Sequence, residues 1–216
     1  MYNVVLYVHV LALVYWLGGD LGTFLSSRHV LRSELGVASR QTAFNILMEC
    51  DMGPRLAMPL ILGSGFHLSS LRWPGLLPDG TALIGWLVVM VWVALVAAIH
   101  SSVGQRVPSL TQWDLRLRFA VVGGLLGVGG YAFAIGLPGW LALKITIFAT
   151  LVACGIAVRF ALKPFATAYL GMVTDGPSDE RNTAMITHMS VVRRYVWVIW
   201  VGLFVNTALG LHVVTF

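Results

Sequence analysis

Hydrophobic residues gather in six long stretches along the 216-residue chain, and the segments between them hold most of the charged residues. A helix needs about 20 mainly apolar residues to cross the hydrocarbon core of a membrane, and each stretch is close to that length. The pattern predicts an all-α integral membrane bundle of six transmembrane helices that forms a single domain over residues 1–216. The predicted spans cover residues 2–27, 54–72, 81–100, 117–137, 139–162 and 194–215.

Composition narrows the class of protein further. Hydrophobic residues make up 58% of the chain and charged residues 11%, whereas soluble domains are about 25% charged. This composition argues against a soluble globular enzyme. The formal net charge of +5 would suggest nucleic acid in a soluble protein, but the distribution of basic residues accounts for it here, so we expect membrane lipid and no nucleic acid as a partner.

The basic residues also predict the orientation of the chain. Of its 14 Lys and Arg residues, all but Arg72 and Lys144 lie in or beside the first, third and fifth connections. Basic residues accumulate in the cytoplasmic loops of membrane proteins, so these connections are expected to be cytoplasmic. Both termini are then on the outer, periplasmic side of a bacterial inner membrane.

Two parts of the chain resemble one another. Arg-Gln-Thr-Ala at residues 40–43 recurs as Arg-Asn-Thr-Ala at 181–184, and Gly-Phe-His-Leu at 65–68 recurs as Gly-Leu-His-Val at 210–213. This similarity indicates a faint parallel repeat that relates residues 1–72 to residues 139–216. Chance similarity between apolar helices is the other interpretation.

Glycines at short spacings favour close helix packing in two of the spans. The run Gly-Gly-Asp-Leu-Gly at residues 18–22 lies within the first span, where packing explains it better than phosphate binding does. The fourth span carries a similar pattern of small residues, from which we also predict close packing. Its glycines are Gly123, Gly124, Gly127, Gly129 and Gly130.

Four nitrogen-bearing side chains fall toward the outer ends of four predicted spans. They are His9, His67, Lys144 and His212. Ionisable groups are costly inside a membrane, so each marks a candidate functional site. The other three histidines belong to the cytoplasmic side and are expected at the surface or the interface. They are His29, His100 and His188.

Polar residues of the first span repeat at helical spacing. At 100° per residue they share one face, which should be directed at the bundle interior rather than at lipid. They are His9, Trp16, Asp20, Thr23 and Ser27. Toward the cytoplasmic end, Asp20 is expected to form an ion pair with Arg28 or Arg55.

Several imidazoles at one depth among apolar helices are typical of haem b, whose iron takes axial nitrogens from facing helices. We predict one or two haems, with His9, His67 and His212 as the candidate metal ligands. Lys144 is a further ligand or a charge partner for a propionate, and Arg72 is a second propionate partner. The alternative is that each histidine is a single interfacial side chain satisfied by water or a carbonyl.

Copper is the rival metal. Cu(I) sites in membranes favour thioether and thiolate ligands, but the methionines lie inside spans or on the cytoplasmic side, away from the outer histidines. The alternative function is therefore a CopD-like copper transport or binding protein. No Walker, GxGxxG, HExxH or GxSxG motif is present in the sequence, and no catalytic residue is assigned.

Three short motifs resemble a known family. Leu-Tyr-Val-His at residues 6–9, followed by Trp-Leu-Gly-Gly at 16–19 and then Arg28, is similar to the first helix of the HemJ-type protoporphyrinogen IX oxidases. Pro59 resembles the proline of that family's second helix. Gly-Trp-Leu-Ala-Leu-Lys at 139–144 is similar to the start of a later helix. The wider group of CopD-like membrane proteins shares this style of helix.

The resemblance implies a haem b site in which His9 and Lys144 occupy the positions of the family's essential His and Lys. It further implies a membrane oxidoreductase that withdraws six electrons from a porphyrinogen and passes them to the respiratory chain. The additional His67 and His212 suit bis-His ligation or a second haem, as in a carrier of electrons between a quinone pool and another redox protein. A homo-oligomer is compatible with either function.

Overall fold

The computed structural model of the chain describes residues 1–74 and 80–213. This described part is helical and contains no strand. Its helices are α1 (Tyr2–Val30), α2 (Val37–Arg72), α3 (Thr81–Ile99), α4 (Ser102–Arg106), α5 (Ser109–Ala134), α6 (Gly139–Asp175) and α7 (Asp179–Gly210).

The prediction of an all-α membrane fold is confirmed. Among the described residues, five helices are long and apolar enough to cross a membrane: α1, α3, α5, α6 and α7. Many large apolar side chains are exposed on the surfaces of these five helices. On α3, for example, Leu83, Ile84 and Val91 are more than 60% exposed. Such surfaces suit lipid rather than water. The chain is a multi-pass membrane protein.

The second predicted span, residues 54–72, is the last half of α2, and this helix does not reach the apolarity of the other five. We predicted Pro54 as its first residue, which is wrong, because α2 begins at Val37 and continues through Pro54 and Pro59. Residues 37–53, which precede Pro54 in the sequence, belong to the same helix. None of residues 51–71 is exposed. The polar side chains of this half of α2 therefore contact protein, which explains why a predicted span can contain them.

The chain folds as two compact units, each of which is described by itself. The first unit comprises Met1–Val30 and Thr42–Asp114, and the second comprises Leu31–Gln41 and Leu115–Phe216. The first unit therefore holds α1, most of α2, α3 and α4. The second holds most of α5 together with α6 and α7.

In the first unit, α1 and α2 run antiparallel with their backbones in close approach. A Cβ atom on Gly19 would collide with the Pro54 ring and would lie 2.7 Å from the Cys50 carbonyl oxygen, while one on Gly22 would lie 2.7 Å from the Cys50 sulfur. Pro54 has no N–H to give to that carbonyl, which lies four residues earlier. The packing interpretation of the 18–22 glycine run is confirmed.

In the second unit, α6 and α7 form an antiparallel pair joined by residues 176–178. The Ser178 hydroxyl caps α7 by accepting from the Arg181 amide at 3.3 Å. A Cβ atom on Gly202 would lie 2.5 Å from a methyl group of Leu151, so the helices are close along their length. The pair encloses an apolar core, which includes Leu151, Val152, Met172, Met185 and Leu203.

The glycine pattern of the fourth predicted span does not pack as expected. On α5, a Cβ atom at Gly123, Gly124, Gly127 or Gly130 would meet no described atom within 4 Å. Gly129 differs, because a Cβ atom there would lie 2.8 Å from the Thr146 hydroxyl of α6. Glycine spacing alone therefore does not identify the packing face of α5. The neighbouring helices determine which glycines are in close contact.

Candidate functional site

The polar face predicted for α1 is confirmed. Trp16 and Ser27 are buried, and His9, Asp20 and Thr23 are partly buried. Thr23 donates a hydrogen bond to the Leu47 carbonyl of α2 at 3.5 Å. The face is therefore directed at α2 within the first unit, as a polar stripe on a membrane helix should be.

His9 lies against the buried hydroxyl of Ser64 on α2, with 2.8 Å between Nδ1 and Oγ. That hydroxyl also lies 2.6 Å from the Leu60 carbonyl oxygen, which can only accept. Because a hydroxyl has one proton, Ser64 donates to Leu60 and accepts from Nδ1–H of His9. The neutral imidazole of His9 then carries its lone pair on Nε2. A glycine faces the ring edge, since a Cβ atom on Gly65 would lie 3.5 Å from Cε1 of His9.

His67 has the opposite arrangement of its ring nitrogens. The indole of Trp86 on α3 donates to Nδ1 of His67 at 3.1 Å, with the two rings nearly perpendicular. The lone pair of neutral His67 is thus engaged on Nδ1, and its proton lies on Nε2. To bind a metal through Nε2, this imidazole would have to give up the indole or change tautomer. His67 therefore fits a structural role at the α2–α3 contact better than His9 does.

The ion pair expected between Asp20 and Arg28 or Arg55 is not found among the described residues. The Trp16 indole donates to the Asp20 carboxylate at 3.1 Å. Arg55 instead pairs with Asp51, one turn earlier on α2, and its Nε donates to that carboxylate at 2.6 Å. Arg55 is therefore bound within its own helix.

Arg72 ends α2, and its side chain is exposed. Its guanidinium lies 5.8 Å from the ring centre of Trp73, within the range of a cation–π contact. The role of Arg72 as a propionate partner stays a prediction.

In the second unit, Lys144 lies on α6 beside the end of α7. A Cβ atom on Gly210 would lie 2.5 Å from the Lys144 ammonium, so this glycine leaves the space that the lysine head occupies. One turn earlier on α7, the buried Asn206 amide donates to the Lys144 carbonyl oxygen at 3.2 Å. The Asn206 side-chain oxygen is buried and accepts no hydrogen bond from the described residues.

His212 lies two residues beyond the end of α7, which stops at Gly210, rather than within the predicted span 194–215. Its φ of 55° is left-handed, and the amides of His212 and Val213 donate back to the carbonyls of Leu209 and Ala208 at 3.2 and 3.0 Å. These are the bonds of a Schellman end. The exposed imidazole meets the Trp140 ring edge-on, with 4.8 Å between the ring centres.

The other histidines behave as expected for surface or interfacial positions. His29 is exposed and donates to the Leu25 carbonyl at 3.3 Å, and His100 lies 2.8 Å from the Val96 carbonyl oxygen. Each partner is four residues earlier in the same helix, so each imidazole is satisfied locally. His188 is partly buried on α7.

The predicted site residues therefore fall into two local sets. His9 and His67 lie in the first unit, and Lys144 and His212 lie in the second. A meeting of all four stays a prediction. Over residues 1–74 and 80–213, no group of three or more His, Cys, Asp or Glu side chains could hold a metal ion, but a haem iron needs at most two axial ligands from the protein.

Sequence reasoning missed Ser64, Trp86 and Asn206, which bond to three of the predicted residues. A signal was available, because each places a hydrogen-bonding group inside a predicted span. From the sequence, we treated only ionisable residues within the spans as candidate functional residues. Neutral polar groups also require hydrogen-bond partners inside a membrane. Comparison of the chain with protein-family models, with curated proteins and with solved structures found no match.

Proposed function

We propose that the chain is a haem b protein of a bacterial inner membrane, with His9 as an axial ligand of the iron. The proposal is supported first by the hydrogen bond between Nδ1 of His9 and the Ser64 hydroxyl. Histidines that ligate metals usually donate the proton of the other ring nitrogen to such a partner, which orients the ring and raises the basicity of the ligand nitrogen. His9 has this arrangement on a membrane-crossing helix.

The surroundings of His9 also suit a flat, apolar macrocycle. The residues that flank it on α1 and the facing half of α2 are mainly apolar, and Gly65 opposite the ring edge carries no side chain. Arg72 is a cationic candidate for a propionate near the end of α2. A bound haem would supply one-electron redox chemistry, and the residues of the chain would hold its iron, orient the ligand and exclude water.

The resemblance to the HemJ-type oxidases favours a porphyrinogen as substrate, with electrons passed on to a quinone or another redox protein. It also places Lys144 within the functional part of the chain. An electron carrier without a porphyrinogen substrate is the second form of the same proposal. In both forms His9 holds the iron.

The first experiment measures haem in detergent-purified protein that has been expressed with added haem precursor. We expect a Soret band and a pyridine haemochrome of haem b in the wild-type protein, and loss of both in His9→Ala. The matched control is His29→Ala, which removes an exposed imidazole from the same helix and should leave the spectrum unchanged. A colourless wild-type protein, or an unchanged Soret band in His9→Ala, would contradict the assignment. Copper bound without porphyrin would instead support the CopD-like alternative.

A second experiment tests the role of Ser64 as the partner of His9. Ser64→Ala should weaken haem binding by about 10- to 100-fold, because partners of this kind contribute that much to metal affinity. Ser69→Ala is the control, since its hydroxyl donates to the Gly65 carbonyl within α2 at 3.0 Å. Haem titration into the purified apoprotein measures both affinities. Equal affinities in the two variants would remove Ser64 from the site.

A further inference from the structure

In the second unit, a cation on α6 and a buried acceptor on α7 lie about one turn of α7 apart, and neither is bonded to a described residue. The cation is the Lys144 ammonium, for which the described residues provide no ion pair or side-chain hydrogen bond. The acceptor is the side-chain oxygen of Asn206, a residue only 7% exposed. Ammonium groups and amide oxygens are costly to leave unsatisfied within a membrane.

Both side chains lie at the contact between α6 and α7. Asn206 donates to the Lys144 carbonyl at 3.2 Å, and the lysine side chain reaches the next turn of α7 at Gly210. This direction is expected, because side chains on a helix point toward its N-terminus. The ammonium is thus carried toward the exposed end of the pair, where Trp140 and His212 meet edge-on.

Capping of α7 does not account for the position of the lysine. The carbonyls of Thr207, Ala208 and Leu209 already accept from the amides of the turn that follows the helix. These bonds satisfy three of the last four carbonyls of α7 without a side chain. The negative end of the helix dipole still attracts an ammonium, but it provides no full counter-charge and nothing for the Asn206 oxygen.

We propose that Lys144 and Asn206 bind the acidic head of an amphiphile that carries both an anionic oxygen and a hydroxyl donor. The anionic oxygen pairs with the ammonium, and the hydroxyl donates to the Asn206 oxygen directly or through a water. Lys144 lies five residues from the start of α6, about 8 Å along the helix, so a head group at this end of α6 would be within reach of the ammonium. A phosphatidylglycerol-type lipid has both groups, and a carboxylate of a bound cofactor is the second source of the same chemistry.

The lipid source is tested on haem-free protein, so that it does not depend on the proposed function. Wild-type protein is placed in phosphatidylcholine nanodiscs, and part of this lipid is exchanged for phosphatidylglycerol. The anionic lipid that the protein retains is then measured by native mass spectrometry. We expect Lys144→Gln to bind about tenfold less of this lipid, as for loss of a charge-assisted hydrogen bond. Lys163→Gln is the control, because this exposed lysine on the same helix lies over the Phe160 ring at 5.0 Å.

The acceptor is tested with Asn206→Leu, which removes the side-chain oxygen and keeps a similar volume. This variant should lower the preference for phosphatidylglycerol over phosphatidylethanol, a phosphodiester of the same charge whose head group has no hydroxyl. Circular dichroism and gel filtration show whether each variant keeps its fold. A folded variant with an unchanged lipid preference would exclude Asn206 from the site.

The carboxylate source rests on the proposed function and is tested separately by comparing haem b with its dimethyl ester. If the carboxylate is the ligand, esterification weakens binding to wild-type protein more than it weakens binding to Lys144→Gln, in which only the other propionate still has a cationic candidate, Arg72. Either a lipid or a carboxylate result supports the anion site and identifies its source. If Lys144→Gln matches wild type in both experiments, the site does not exist, whether or not His9 binds haem.

Discussion

Replacement of Gly19 by alanine should separate α1 from α2 and destabilise the first unit by about 2 kcal/mol, as for overpacking of a core. The added methyl group would collide with the Pro54 ring and lie 2.7 Å from the Cys50 carbonyl oxygen. Neither group can rotate away, because one is a ring and the other is backbone. The helices must therefore move apart, and the hydrogen bond between His9 and Ser64 should lengthen with them.

Gly18→Ala provides the matched control, since a Cβ atom there meets no described atom within 4 Å. Alanine is a better helix former than glycine by about 1 kcal/mol, so this neighbouring variant should equal or exceed the wild type in stability. Unfolding in detergent followed by circular dichroism measures both. Equal stability of the two variants would show that α1 and α2 do not approach as described.

The periodicity of the sequence predicted which face of α1 is directed inward. Helical spacing depends on backbone geometry alone, so residues as far apart as His9 and Ser27 could be assigned to one face without knowledge of the neighbours. The apolar stretches predicted the membrane class for a similar reason, since the thickness of a bilayer defines the length of a span. Both inferences use a property of one helix.

Properties that depend on two helices could not be predicted in the same way. The α5 glycines have the spacing of a packing face, yet α6 approaches Gly129 and not the other glycines of this pattern. The partners of His9 and His67 lie 55 and 19 residues away, and nothing in a single sequence specifies the rotation of one helix against another. The tautomers of the two histidines follow from those partners.

One physical reason explains both the low apolarity of α2 and its proposed contribution of polar groups to the site. A helix that faces lipid must be apolar around its surface, but a helix enclosed by others can carry hydroxyls and an imidazole. Residues 51–71 are enclosed and include Ser64 and His67. The least hydrophobic predicted span is thus the one expected to supply polar groups to a site.

The buried Arg40 should have the second large effect, and its replacement by alanine is expected to destabilise the second unit by about 3 kcal/mol. This residue is 0% exposed. Its guanidinium donates to the Asn182 side-chain oxygen at 3.0 Å and lies 3.9 Å from the Met185 sulfur. Alanine would leave a cavity and remove the donor to Asn182.

Burial works against the charge of Arg40, and two neighbouring residues partly offset this effect. Burial lowers the pKa of Arg40, and the interactions with Tyr169 and Glu34 oppose that shift. Guanidinium groups remain protonated in proteins, so the buried charge persists and must be compensated by its neighbours. Arg40→Lys keeps the charge but not the planar set of donors, and we expect a stability between those of wild type and Arg40→Ala.

The two similar segments, residues 40–43 and 181–184, carry arginines with different contacts. Arg40 contacts Asn182, whereas Arg181 donates to the Gly176 carbonyl and the Asp175 carboxylate, both at 2.8 Å. The two arginines hold equivalent places in the sequence but stabilise different contacts. Arg32→Ala is the control, because its exposed pair with Glu34 at 3.9 Å should contribute less than about 1 kcal/mol. If Arg40→Ala were as stable as Arg32→Ala, the buried guanidinium would not stabilise the contact between the start of α2 and Asn182.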